Sequence, residues 1–453
     1  MKLPEEFKNR MRGILGMEYA AFERSYQEKS SKALRLNPSK AAEDFLERAP
    51  FALEAVPWAE YGYYYEEGFP GKHPYHAAGV YYIQEASAMA PAAYLGAKPH
   101  ERILDLCAAP GGKTTQIAAD MRGTGILISN EIHSARAKIL SENVERMGLS
   151  NTIVTNETPE KLAGAFEEYF DRILVDAPCS GEGMFRKNEA AGGEWSLGQI
   201  QLCADRQDRI LDCAAAMLRR GGRLVYSTCT FAPEENEGSI SRFLKRFPEF
   251  EICQTEKMDK MMGGNPFWVP DAADNIEETI RLFPHKVRGE GHYLAVLQKK
   301  GMQPGLEYPL ESEVLEKDCG LWLDFSRECL KERPQGIYLL FGSQLYLAPP
   351  KTPRLKGLKV LRPALHLGTN KKNRFEPSHA LALYLKPNEV NQTINFASES
   401  SEIHQYLSGE AIHAEGEKGW NLVTVDGYSI GWGKLSGGIL KNHYPKGLRF
   451  SGK

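Results

Sequence analysis

Between Tyr81 and about Lys300, short apolar runs alternate with helix-like segments. No other feature narrows the possible folds as much. Arg102–Leu106 (RILDL), Gly125–Glu131 (GILISNE), Thr152–Thr155, Arg172–Asp176 (RILVD) and Arg223–Ser227 (RLVYS) read as buried strands. Helical patterns cover Lys113–Asp120, Ser134–Met147 and Leu202–Leu218, the last expected to stop at Gly221-Gly222. Tyr293–Gln298 adds a final strand, for which an antiparallel setting is open. Apolar strands separated by helices predict an α/β fold with a mostly parallel, doubly wound sheet, Rossmann-like in kind. Such sheets gather ligands outside the carboxyl ends of their strands, so the loops that follow the strands are where chemistry is expected.

At 453 residues the chain exceeds one ordinary domain. Residues 1–75 form an expected N-terminal domain, opening with an amphipathic helix through Phe7, Met11, Ile14, Leu15 and Phe22. Its aromatic stretch, from Trp58 through Tyr65 to Phe69, ends in the turn Phe69-Pro70-Gly71. Residues 76–300 hold the alternating core. Residues 301–389 are less periodic and read as a connector with a basic segment, in which Lys356, Lys359, Arg362, Lys371, Lys372 and Arg374 occur with no acid before Glu376. Residues 390–453 read as a small β-rich domain.

Composition removes several classes. The eight cysteines have no C-x(2–4)-C spacing, which argues against a zinc ribbon or finger and leaves reduced thiols that are core or chemistry. No apolar run is long enough to span a bilayer, and acidic residues with Pro4 interrupt the start, so the expectation is a cytoplasmic chain without membrane or metal. A formal charge of −3 disfavours a protein that coats nucleic acid, but leaves room for a local basic groove.

Asp105-Leu-Cys-Ala-Ala-Pro-Gly-Gly-Lys-Thr114 follows the first core strand and opens a helix. Its small residues, Ala108, Ala109, Pro110, Gly111 and Gly112, let backbone approach a ligand closely. A P-loop would need glycine where Cys107 stands, and G-x-G-x-x-G is absent, so triphosphate and dinucleotide sites are disfavoured. Glu131 ends the second strand, where a carboxylate can accept from both ribose hydroxyls of a nucleoside. A nucleoside ligand without a phosphate cradle, such as S-adenosyl-L-methionine, fits this loop best.

Two further motifs follow strands: Asp176-Ala-Pro-Cys179-Ser-Gly181 and Ser227-Thr-Cys229-Thr-Phe-Ala-Pro233. APGGKTT, DAPCSGEGMFRK and YSTCTFAPEENE together resemble the NOL1/NOP2/Sun family of RNA cytosine-C5 methyltransferases. The start of the chain, YYIQEASAM (Tyr81–Met89), RLFPHKVRGEGHYLA (Arg281–Ala295) and the C-terminal extension are similar to its RsmF (YebU-like) branch. The resemblance covers most of the chain. It implies a class I methyltransferase core, an N-terminal RNA-binding domain, a PUA-like C-terminal region and methylation of 16S rRNA near the decoding centre. It also implies S-adenosyl-L-methionine held by residues 107–113, Glu131 and Asp176, with Thr158 standing where relatives place an adenine-contacting acid; Asn156 is the neighbouring candidate.

The implied chemistry accounts for the residue types. Carbon 5 of cytosine is a poor nucleophile until a thiolate adds to carbon 6. The resemblance assigns that thiolate to Cys229 and assistance of product release to Cys179; spacing alone leaves the two roles open, because other cytosine methyltransferases attack with a Pro-Cys thiol. Asp176 can protonate or hydrogen-bond ring N3, and Lys113 is a candidate for tuning Asp176 and the thiols. Cys107 has no part in this chemistry beyond the loop backbone, and Cys203, Cys213, Cys253, Cys319 and Cys329 read as packing.

The partner implied is RNA, 16S rRNA or the small ribosomal subunit, bound by a monomer. Arg186 and Lys187 are the phosphate candidates nearest the motifs; the 356–374 basic run is a second. Tyr63, Tyr64 and Phe69 read as core before base-stacking. A transfer-RNA substrate and a non-catalytic RNA-binding assembly factor are the alternatives. The intact pair of cysteines speaks against the latter.

Overall fold

The computed structural model describes residues 3–41, 44–68, 70–187, 193, 195–258, 260–302 and 308–450. Its centre is a sheet built on five parallel strands: β1 (Arg102–Asp105), β2 (Ile126–Asn130), β3 (Thr152–Thr155), β4 (Phe170–Asp176) and β5 (Leu218–Thr228). They lie in the spatial order β3-β2-β1-β4-β5. The order reverses between β1 and β4, which opens a crevice at their carboxyl ends. β6 (His292–Lys299) joins β5 antiparallel, with Tyr293 opposite Thr228. Because it runs the other way, the start of β6 lies beside the ends of the parallel strands.

These strands are apolar in nearly every position because both faces are covered. Leu104, Ile128, Ile173, Val175, Leu224 and Tyr226 enter one core with the long helix. Their sequence neighbours Ile103, Leu127, Leu174 and Val225 enter the other, with Ile117 and Met121. Three helices matter for the site: α1 (Gly112–Asp120), α2 (Ser134–Arg146) and α3 (Leu197–Met217). α3 begins earlier than the sequence pattern suggested, because the Ser196 side chain caps it by accepting from Gln199 N at 3.2 Å.

The glycine pair 221–222 does not stop this helix. Leu218 already lies in β5, pairing with Phe170, and the next pairing is Arg223 with Arg172. Residues 219–222 loop out between those pairs as a bulge, and Gly221 at φ +74° supplies the left-handed turn this requires. The chain also passes residue 75 without leaving its first sheet: Tyr81–Ile83 pairs antiparallel with Lys32–Leu36.

The segment expected as a connector contributes to two sheets. Ile337–Phe341, Gln344–Ala348, Leu365–Asn370 and Phe375–Pro377 form a four-stranded sheet. β7 (Val360–Pro363) instead pairs antiparallel with β3 at the edge of the central sheet. Thr393–Phe396, Ile412–His413, Gly419–Val425, Tyr428–Ser436 and Ile439–Asn442 make a five-stranded C-terminal sheet. No helix among the described residues is long and apolar enough to cross a membrane.

One buried ion pair fixes the ground beside the site. Arg281, next to β6 in the sheet, donates to both carboxylate oxygens of Glu237 at 2.7 and 2.5 Å and to Phe231 O at 3.0 Å. Both side chains are almost wholly inaccessible. Removing one partner leaves an uncompensated buried charge. Glu237→Ala is therefore expected to lower unfolding free energy by about 3–5 kcal/mol. The denaturation midpoint checks this, and Glu237→Ala with Arg281→Met should cost less than Glu237→Ala alone.

Candidate active site

The loop from Leu106 to Gly111 leaves β1 and turns into α1. Gly111 sits at φ +115°, and a Cβ there would meet Leu140 Cδ1 at 3.2 Å. This turn fits glycine on both counts. The loop backbone is held from below and from the side: Ala108 N donates to Asn130 O at 2.8 Å, Arg136 to Ala109 O at 2.8 Å and Asn143 to Pro110 O at 2.8 Å. Glu131 follows β2, with its carboxylate accepting from His133 N at 2.9 Å and facing Arg136 at 3.3 Å. Cys107 packs against the core, and burial pushes its thiol up, so it stays protonated.

Asp105 lies at the base of the loop and is fully buried. One oxygen accepts from Thr114 Oγ1 at 2.6 Å; the other, Oδ1, has no hydrogen-bond partner. Burial pushes this carboxyl up to about 7. A buried acceptor without a donor is costly unless a ligand supplies one. The ammonium of a bound amino-acid moiety is such a donor, and Glu131 presents a carboxylate suited to ribose hydroxyls. The residues present therefore fit S-adenosyl-L-methionine.

Asp176 ends β4 across the crevice. Lys113 Nζ donates to its Oδ2 at 2.7 Å and Ser227 Oγ to its Oδ1 at 2.8 Å, and His292 Nε2 lies 3.5 Å from Oδ1. Burial alone would push the carboxyl up, but the Lys113 ammonium and the His292 ring outweigh it and hold Asp176 well below the usual carboxylate range. The reverse holds for Lys113: burial works against its charge, yet Asp176 more than offsets that, with further help from Asp105 and the Cys229 sulfur. The pair is thus ionised, with the cation close enough to Cys229 to interact with it.

Cys179 and Cys229 meet with their sulfurs 3.3 Å apart, both half-buried. The hydrogen bond to Cys229, then burial, raises the Cys179 thiol well above its ordinary value. Either sulfur can be the donor across this contact. The loops carrying them interlock: Gly183 N donates to Cys229 O at 2.8 Å and Phe231 N to Glu182 at 2.9 Å. A Cβ on Gly183 would stand 2.7 Å from Cys229 O, so no larger residue fits that contact.

The sequence candidates do not all converge here. Arg186 is a correction: it is not free for phosphate, because it pairs with Glu290 at 2.6 Å and donates to Ser25 O and Gly289 O. Lys187 is exposed. In the basic run, Lys356, Lys359, Lys371, Lys372 and Arg374 are exposed, whereas Arg362 is buried against Glu145. Tyr64 is buried and Tyr63 half-buried; Phe69 lies outside the described residues. Thr158 is exposed and caps the short helix Pro159–Ala163, and the Asn156 amide donates to Glu131 O and Ile132 O. His292, Ser227 and Asp105 were missed as site residues. For His292 a readable signal exists: Gly-Glu-Gly-His at the start of an antiparallel strand puts its first side chain at the catalytic end of the sheet. Among the described residues no group of three or more His, Cys, Asp or Glu is arranged to hold a metal ion.

Comparison with known proteins agrees with this geometry. A family model described as 16S rRNA methyltransferase RsmB/F matches residues 92–298. Models for the N-terminal domain, the first C-terminal domain and the PUA domain of RsmF match residues 3–86, 324–385 and 393–450. The chain is 31% identical to the ribosomal RNA small subunit methyltransferase F of Erwinia tasmaniensis, across 99% of this chain and 97% of that one. Against the protein of the same name from Vibrio cholerae it is also 31% identical, across 99% and 98%. A solved methyltransferase homologue from Pyrococcus horikoshii is 30% identical with a TM-score of 0.56, covering 63% of this chain and 91% of that one. NSun6 from Pyrococcus horikoshii, solved with SFG, shares the fold at 22% identity and a TM-score of 0.55, over 66% of this chain and 99% of that one. With similarity running the length of both chains and through every segment, the chain belongs to the RsmF branch of the NOL1/NOP2/Sun family of RNA methyltransferases.

Proposed function

We propose that the protein methylates carbon 5 of cytosine in 16S rRNA, with Cys229 as nucleophile, Cys179 assisting release, and Asp176 and Lys113 in the base pocket. The observation that carries this reading is two thiols 3.3 Å apart beside an ionised Asp176–Lys113 pair. A binding protein has no use for a second thiol in contact with the first. The relatives' names, small subunit methyltransferase F, support ribosomal RNA over transfer RNA as the substrate.

The 107–113 backbone, Asp105 and Glu131 would hold S-adenosyl-L-methionine, with Asn156 and Thr158 as candidates for an adenine contact, and the group would supply the electrophilic methyl. The chain's residues act on the base. The Cys229 sulfur adds to carbon 6, and the electron pair of the C5=C6 bond makes carbon 5 nucleophilic. Ring N3 becomes more basic and takes a proton from solvent. Asp176, kept ionised by Lys113 and His292, acts as acceptor for that N3–H rather than as its acid. After transfer, the C5 proton leaves to solvent, the C5=C6 bond reforms, the C6–S bond breaks and N3 gives its proton back to solvent. The S–H of Cys179 is placed to donate to the departing Cys229 sulfur.

Cys229→Ser is expected to form no covalent RNA complex, whereas Cys179→Ala accumulates one; denaturing gels with labelled RNA check both. Tritium on cytosine C5 should appear in water during turnover. Methylation at N4 instead would sink the mechanism.

Asp176→Asn is expected to lower kcat by about 10²–10³-fold, the range for losing one positioned electrostatic stabiliser of the transition state. Bisulfite mapping of total RNA with and without the protein should place the lost cytosine methylation in 16S rRNA; loss confined to transfer RNA would reassign the substrate.

A further inference from the structure

Each cysteine is followed by a hydroxyl residue, Ser180 and Thr230, and these two side chains hydrogen-bond each other at 2.8 Å. Both belong to a network centred on one carboxyl. Glu235 is fully buried. Its Oε1 accepts from Ser180 Oγ, and its Oε2 accepts from Ser180 N at 3.0 Å and from Gln207 Nε2 at 2.8 Å. Gln207, on α3, also donates to Pro178 O at 3.0 Å. Peptide atoms on either side of Cys179 are therefore tied to the same two side chains.

The Cys229 side is braced separately. Thr230 O accepts from Asn236 Nδ2 at 3.0 Å, and Asn236 Oδ1 accepts from Thr228 Oγ1 at 2.6 Å. Tyr226 OH donates to Glu235 O at 2.6 Å, which fixes the backbone from which the Glu235 carboxyl projects. The asymmetry matters. Cys229 emerges directly from the end of β5 and is held by the sheet, whereas Cys179 lies three residues beyond the end of β4, on a loop. The Glu235 carboxyl contacts the Cys179 loop at two atoms of one residue and reaches Cys229 only through the Ser180–Thr230 bond.

We propose that Glu235 and Ser180 are positioning residues for product release, holding the Cys179 thiol at its contact with Cys229 without themselves touching the RNA. The inference rests on the covalent reading of the two cysteines given above and assigns a release-specific role to groups outside the reacting atoms. Displacing Cys179 by about 1 Å should slow release by about 10²-fold while leaving attack by Cys229 much less affected. Burial pushes the Glu235 carboxyl up to about 7, so a neutral isostere that keeps an acceptor toward Ser180 N is tolerated.

The test measures, on the full chain with 16S rRNA and cofactor, the rate of covalent complex formation in a single turnover and the rate of its decay. Glu235→Ala and the milder Ser180→Ala are compared with Cys179→Ala and with Glu235→Gln. The expected result is accumulation of covalent complex in Glu235→Ala and, to a smaller degree, in Ser180→Ala, with formation rates near normal. Glu235→Gln should restore most of the decay rate. Decay at the unmodified protein's rate in both alanine variants, or equal slowing of formation and decay, would overturn the proposal. If Cys179→Ala itself traps no complex, the covalent reading fails and this inference falls with it, an outcome distinguishable from failure of Glu235 alone.

Discussion

The ion pair between Lys113 and Asp176 joins the two halves of the site. Lys113 belongs to the first turn of α1, directly after the loop from Leu106 to Gly111. Asp176 ends β4, so its carboxylate lies at the entrance to the cysteine loop. A 2.7 Å contact between mostly buried groups gains Coulomb energy that offsets the cost of taking both from water only when further partners satisfy them. Ser227 fills that need on the Asp176 side by donating to Oδ1, and His292 Nε2 stands 3.5 Å away. The result is a fixed anion at the end of β4 and a fixed cation close enough to interact with the Cys229 sulfur, set by the fold.

Strand register then decides where the sulfurs lie. Asp176 pairs with Ser227, so β4 and β5 leave the sheet level with each other. Cys229 follows two residues after Ser227 and Cys179 three after Asp176, and their sulfurs meet at 3.3 Å. A slip of one residue between these strands would turn their side chains to opposite faces. The alternating packing of Leu174 and Val225 into one core, and of Val175 and Tyr226 into the other, resists such a slip.

Much of this was legible because local pattern and global fold agree in the core. Apolar runs gave the strands, and the Pro-Gly-Gly and Pro-Cys motifs marked the loops at their ends. What stayed hidden depended on contacts distant in sequence. Arg186 looked like a phosphate ligand from its neighbours, but its partner Glu290 is remote in the chain. Arg362 sat in an apparently solvated basic run, yet its edge strand brings it against Glu145. The 221–222 glycines read as a helix stop because a bulge and a helix end make the same local demand for a left-handed residue. Glu235 stood in an acidic stretch, Glu234 to Glu237, in which nothing local separates the half-buried carboxylate from the buried ones.

The flanking regions brace the core on both sides, at α1 and at the end of β3. Arg35, buried in the N-terminal sheet, donates to Gly112 O at 3.2 Å and to Thr115 Oγ1 at 2.5 Å, both in the first turn of α1. On the other flank, Asn156 N donates to Lys359 O at 2.9 Å and Lys359 N to Glu157 at 2.7 Å, where β7 meets the end of β3. The segment that leads to the C-terminal sheets thus holds the chain where it leaves β3. Neither appendage is a separate module hung on a finished enzyme: each supplies hydrogen bonds that the cofactor-binding loops would otherwise lack.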